Sequence, residues 1–228
     1  MAPIALTTAP RAHIALKELK LPYEEVLIDV EKPREERYSA IDHKGQVPTL
    51  SYNGTIIAES GIIVQFLADA HPNPQPNEGG GLLLPSTIYV NALQRVRIAA
   101  FVDAWISKVY PALINVILNG ENHDRSAEAL ARVVEREIEP LLLFLPSLSG
   151  SGKDGDEYGK RGESSFGGCE RLTLAEVLVA PFLLWALTLW KGEYGVLRGD
   201  LVEVLKERTP MFADWGGRVV RHESVVRG

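Results

Sequence analysis

The sequence predicts an α/β domain followed by an all-α domain, and three observations predict it. Strand and helix signals alternate over the first third of the chain. Asn53-Gly54 joins two short β-type runs and is the strongest two-residue hairpin signal there is. Beyond HPNPQPNEGGGLLLPS, a stretch rich in Pro, Gly and Asn that begins at His71, the apolar periodicity is almost entirely helical. The expected boundaries are 1–75 for the first domain, 76–86 for a linker and 87–228 for the helical domain.

Each element has its own signal. Ile4 to Thr7 is a short apolar run. Pro10 suits a first helical position, and Ala12, Ala15, Leu16 and Leu19 recur at helical spacing behind it. Leu21-Pro22-Tyr23 ends that helix, and a strand is expected from Glu24 to Val30, where Val26, Ile28 and Val30 alternate. Residues 34–41 form a short, weak helix. The hairpin takes Thr49 to Tyr52 and Thr55 to Ile57, and Ile62, Ile63, Phe66, Leu67 and Ala70 mark the helix after Ser60. The resulting order is βαβαββα. In the second domain a long helical pattern covers residues 87–118 with a bend at Pro111, and an amphipathic one covers 125–145. A helix capped by Thr173 and two shorter helices complete it. The tract SLSGSGKDGDEYGKRGESSFG has no periodicity and reads as a loop.

Composition narrows the function. Of 228 residues, 46% are hydrophobic and 24% charged, the balance of a globular protein. A net charge of −6 and a pI near 5.5 exclude a polyanionic partner such as nucleic acid, which needs a cationic surface. The single cysteine, Cys169, cannot form an internal disulfide and fits a reducing cytoplasm. The first residues show no basic leader ahead of an unbroken apolar run. LTLAEVLVAPFLLWALTLW approaches a bilayer-spanning length, but the Thr173/Glu176 capping box and Pro181 favour a buried helix, and no membrane partner is expected.

Two matches in the Gly-rich tract are decoys. Gly150, Gly152 and Gly155 fit the dinucleotide-binding spacing, yet a helix precedes them and a polar tract follows, which reverses what a pyrophosphate site needs. Asp154 and Asp156 begin a calcium-loop spacing whose twelfth position is Ser165, not a bidentate carboxylate. The five histidines show no ligand spacing, so no metal is expected.

The hairpin carries the chemistry. Val47-Pro48 enters its first strand; a cis bond there would turn the Val47 amide and carbonyl outward to pair with an extended ligand, whereas a trans proline would mark an ordinary edge. At the other end Ser60 lies at the head of a helix that favours a carboxylate, and Glu59 offers an acceptor for an ammonium. Together they fit the zwitterionic head of a γ-glutamyl group, or else a plain serine cap beside a solvated glutamate.

On RAHIALKELKLPYEEVLID, KGQVPTL, NGTIIAESGIIVQFLADAHP, ALQRVRIAAFVDAW, LTLAEVLVAPF and TPMFADW, the chain resembles a cytosolic glutathione transferase of the fungal omega-like group. The resemblance implies a thioredoxin-like N-terminal domain, an all-helical C-terminal domain, glutathione as cofactor and a homodimer. It assigns the cysteinyl backbone of glutathione to Val47 with Pro48 cis, the γ-glutamyl end to Glu59 and Ser60, and the glycyl carboxylate to Lys32. The group's Cys-Pro dipeptide is missing: the text is ALTTAPRAHIAL, and the loop is several residues shorter. Without that cysteine the mixed-disulfide route is closed, and the glutathione thiol must itself be the nucleophile. The groups near it are the hydroxyls of Thr7 and Thr8, the helix start at Pro10 and the charge of Arg11; Thr8 as a helix cap and Thr7 as a strand residue are the structural alternatives. The implied reaction is addition to a small hydrophobic electrophile, by conjugation or by reversible addition as a cis-trans isomerase, and a binding protein without catalysis is the third reading. Phe101, Trp105 and Trp185 are the expected lining of the electrophile's cleft, with core packing as their alternative.

Overall fold

The computed structural model describes residues 4–7, 9–29, 32–33, 36, 38, 42, 44–45, 47–72, 82–83, 89–118, 123–143, 172–190 and 200–226. Thr8, Cys169, the Gly-rich tract with both decoy motifs, and the side chains of Thr7 and Trp185 lie outside the described residues. So does most of 34–41, where Glu36 and Tyr38 are helical.

The first domain is β1 (Ile4–Thr7), α1 (Pro10–Glu18), β2 (Tyr23–Val26), β3 (Thr49–Tyr52), β4 (Thr55–Ala58) and α2 (Ser60–Ala70). Its sheet runs β2-β1-β3-β4, with β1 parallel to β2 and antiparallel to β3. A crossover between parallel neighbours followed by an antiparallel hairpin is the thioredoxin-like arrangement. Asn53 and Gly54 both have positive φ, 50° and 82°, as a two-residue hairpin turn twisted with its strands requires. β2 is shorter than its alternating pattern implied. Its register with β1 stops at Thr7↔Val26, where the partner chain turns into α1, and Leu27 beyond it is 76% exposed.

α1 begins at Pro10 as its sequence requires, and Ala12, Ala15, Leu16 and Leu19 are all buried. His13 and Ile14 are buried as well, because α1 packs against α2 on one side and the helical domain on the other. His13 Nδ1 lies 2.8 Å from the Tyr23 hydroxyl and Nε2 lies 3.2 Å from Glu25 Oε1. A neutral ring with its proton on Nε2 satisfies both partners, donating to Glu25 and accepting from Tyr23. Burial holds His13 below its ordinary value of 6.5 and outweighs the opposing pull of Glu25; burial lowers His71 too. Since the unfolded chain binds more protons below its own imidazole pKa, this stability is present above 6.5 and is lost as pH falls through the folded values. The melting temperature should therefore drop between about pH 7.5 and about pH 5.5, with a shallower slope in His13→Phe. An equal slope in thermal denaturation of the two proteins would contradict this.

The second domain contains α3 (Tyr89–Ala104), a π-helical segment (Trp105–Val109), α4 (Tyr110–Leu118), α5 (His123–Glu137), α6 (Glu139–Leu143), α7 (Leu174–Trp190), α8 (Asp200–Arg208), α9 (Pro210–Val219) and α10 (Glu223–Val226). Three helices rather than two thus close the described chain. The irregularity expected at Pro111 takes the form of a π turn one turn earlier, in which the Tyr110 amide donates to the Trp105 carbonyl. Pro111 has no N–H for Ser107 and its ring crowds that carbonyl, so the helix widens there.

α7 starts with the capping box read from the sequence. Glu176 Oε2 accepts from the Thr173 amide at 2.8 Å, Thr173 Oγ1 accepts from the Ala175 amide at 3.2 Å, and Glu176 Oε1 accepts from Trp215 Nε1 at 3.1 Å. Among the described residues no helix is long and apolar enough to cross a membrane.

Phe101 and Trp105 correct the sequence reading. Both are essentially inaccessible, at 0% and 2% exposure. Phe101 meets Trp215 edge-on with centroids 5.2 Å apart, and Trp105 lies 6.0 Å from Phe212. Their shared helix face turns inward to α9, and they build the core of the helical domain rather than a cleft.

Candidate active site

A cavity of about 420 Å³ opens where the two domains meet, lined by Ala9, Pro10, Arg11, Val47, Pro48, Ser60, Pro181 and Phe182. Arg11, Val47, Pro48 and Ser60 come from the sequence-derived set. Local chain geometry explains the three elements of the first domain that meet here: the start of α1, the entry to β3 and the start of α2.

The Val47-Pro48 bond is cis. Among the described residues the main-chain amide and carbonyl of Val47 have no hydrogen-bond partner, and the residue is half-buried. A half-buried peptide group in that state is ready to pair with an extended ligand.

Both helix starts are bare. Ala9 precedes α1 with extended φ and ψ of −162° and 118° and has no side chain able to cap it. Glu59 precedes α2 with φ 71° and makes no side-chain cap, so Ser60 is the first helical residue rather than the cap. Positive φ in a non-glycine residue costs energy, and such positions cluster at binding sites. Two uncapped N-termini thus present amides and positive dipole ends at the cavity.

Arg11 completes the electrostatics. Its Nε donates to the Leu178 carbonyl at 2.8 Å, its Nη1 reaches Ser60 Oγ at 3.4 Å, and the guanidinium lies 4.4 Å from the Phe182 ring centroid. No carboxylate pairs with it among the described residues. Burial lowers its pKa, with Tyr110 pulling the other way, which is what an uncompensated charge in a poorly solvated place shows. Phe182 in turn sits 4.7 Å from the Tyr110 ring.

Lys32 and Glu59 are not among the residues that line this wall. Lys32 is exposed and pairs with Asp29 at 2.9 Å. Glu59 is exposed beside Ser60 and does not line the cavity. Thr7 ends β1 at Val26 in the sheet register. Phe182 and Pro181 were missed. Pro181 inside an otherwise apolar helix was the available signal, but it distinguished a buried helix from a membrane span without indicating a cavity. Among the described residues no group of three or more His, Cys, Asp or Glu could hold a metal ion.

A thioredoxin-like domain, an all-helical domain and an anion-seeking cavity between them define the glutathione transferase class of architecture. Residues 8–75 match the family model of the glutathione S-transferase N-terminal domain, so that part of the chain is similar to that family. Among curated relatives, it is 26% identical over 212 residues to the probable glutathione S-transferase GSTU6 of Oryza sativa subsp. japonica, covering 92% of this chain and 78% of the relative. It is 41% identical over 66 residues to glutathione S-transferase hmp2 of Hypomyces subiculosus, covering 28% and 31%. Among solved structures, glutathione transferase Omega 2C of Trametes versicolor superposes with a TM-score of 0.71 at 24% identity, covering 99% of this chain and 92% of that one. A rice transferase solved with glutathione gives 0.68 at 23%, covering 99% and 89%.

Proposed function

We propose that the protein joins glutathione to a hydrophobic electrophile, and that the guanidinium of Arg11 at the cavity between the domains, which no carboxylate pairs with among the described residues, is the charge that makes this possible. Glutathione, when bound, supplies a thiol whose anion is the nucleophile. The Val47 amide and carbonyl, unpaired among the described residues, fit its cysteinyl backbone, and Ser60 with the bare start of α2 fits its γ-glutamyl carboxylate. Arg11 and the first turn of α1 hold negative charge at the thiol, the role for which Thr7 and Thr8 were the other candidates. Pro181 and Phe182 give the same cavity an apolar wall for the electrophile. A cytoplasmic homodimer is the assembly we propose for it.

Ser60→Ala tests the clamp. It should weaken retention on immobilised glutathione by about two- to thirtyfold, the range of a contact at a helix end. Unchanged retention would remove Ser60 from the site. Product analysis with model electrophiles separates a covalent adduct, as proposed, from isomerised substrate or from binding without turnover.

A further inference from the structure

We propose that Phe182 and the main-chain carbonyl of Leu178, both on α7, position the Arg11 guanidinium, so that the helical domain sets the acidity of a thiol held by the first domain. The inference rests on the reading of Arg11 given above and adds a source for its placement. Arg11 belongs to α1, yet its short hydrogen bond and its ring contact both lie on α7, at 2.8 Å and 4.4 Å. The contact inside its own domain, to Ser60 Oγ at 3.4 Å, is at the long limit of a hydrogen bond. An arginine side chain has many rotamers, and a flat ring under the guanidinium together with an in-plane acceptor selects one of them.

The acceptor is the Leu178 carbonyl, one residue beyond the Val177 carbonyl that Pro181, having no N–H, leaves without its helical donor. Phe182 is backed by Tyr110, the residue that closes the π turn ahead of Pro111.

The partners are also of the right kind. A carboxylate would hold Arg11 equally well but would cancel its field. A carbonyl dipole and the negative face of a ring hold it and leave the net charge available to an anion in the cavity. Tyr110 on α4 is the titratable group that acts on Arg11; Glu176 on α7 is engaged by Thr173 and Trp215, and the residues of α7 that touch Arg11, Leu178 and Phe182, are neutral.

The test is an ultraviolet titration of the thiolate of glutathione bound to the full-length protein, read beside the affinity for glutathione. Phe182→Leu keeps an apolar side chain and removes the ring. It should lower the thiolate fraction at a fixed pH about three- to tenfold with glutathione affinity within about twofold, and Phe182→Tyr should restore it. Phe182→Met, also apolar and without a ring, should act in the same direction and serves if Phe182→Leu does not fold. Arg11→Leu is run alongside. A shift with Arg11→Leu but none with Phe182→Leu or Phe182→Met would overturn the positioning role and leave Arg11 in place. No shift with any of them would overturn the reading of Arg11 as well. A change confined to the KM of the electrophile would make Phe182 a wall residue only and would also overturn the proposal.

Discussion

Arg11→Leu is expected to lower conjugation near neutral pH by about ten- to a hundredfold, because an opposite charge within a few ångströms moves a titrating group by about one to three pKa units. The fall should come from the thiolate population, so activity recovers as pH is raised and the pH-rate profile moves to the alkaline side. Glutathione affinity should change much less, since the tripeptide's backbone and charged head are held by Val47 and by the start of α2. Arg11→Lys keeps the charge but loses the planar fork and the ring stack, and should fall between the two. The measurement is kcat/KM against pH for a model electrophile, with thermal denaturation as control. An unshifted profile in a folded Arg11→Leu protein would leave the bare start of α1 as the remaining source of activation.

The second large effect concerns stability. Glu176 is fully buried and accepts from the Thr173 amide, from the Thr173 hydroxyl and from Trp215 Nε1. Thr173 and Trp215 are buried too, at 3% and 2% exposure, so no solvent replaces the acceptor when it is removed. Glu176→Ala should cost about 3–5 kcal/mol, the usual price of leaving several buried donors unsatisfied. For a chain of this size that is roughly 10 °C in melting temperature. Glu176→Gln retains a carbonyl oxygen and should lose less. A melting curve for Glu176→Ala within about 2 °C of the parent protein would mean that the cap and the Trp215 tie add little to the fold.

The two variants touch opposite ends of one helical stretch. Glu176 secures the start of α7 and ties it to α9 through Trp215, and the turn that follows carries Leu178, Pro181 and Phe182 to the cavity. Loss of Glu176 should thus reduce activity below the melting temperature as well, by loosening the wall on which Arg11 rests.

Much of the first domain was legible because its signals are local. Asn53-Gly54 needs only its own backbone to make the turn, Pro10 only its ring to start α1, and Thr173 and Glu176 only three residues of spacing to cap α7. Val47, Pro48 and Ser60 flank one hairpin, so their convergence on a common cavity is also a short-range fact. β2 was over-read for the opposite reason: its alternation continues to Val30, but strand length depends on a partner, and β1 ends at Thr7.

Periodicity marked Phe101 and Trp105 as residues of one helix face and could not say what that face meets. Whether an aromatic pair lines a cleft or fills a core depends on α9, more than a hundred residues further along, whose Phe212 and Trp215 occupy the facing space. The same holds for Arg11. The sequence by itself determined that a cation stands one residue inside a helix start, that a hairpin with a proline entry and a serine exit lies nearby, and that a proline interrupts an apolar helix. Only the tertiary structure decided that this helix supplies a carbonyl and a ring to the cation, and that no carboxylate among the described residues neutralises it. The physical reason is that hydrogen bonding along a turn or a hairpin is settled over a few residues, whereas the field in a cavity is a sum over groups that meet only when both domains are packed.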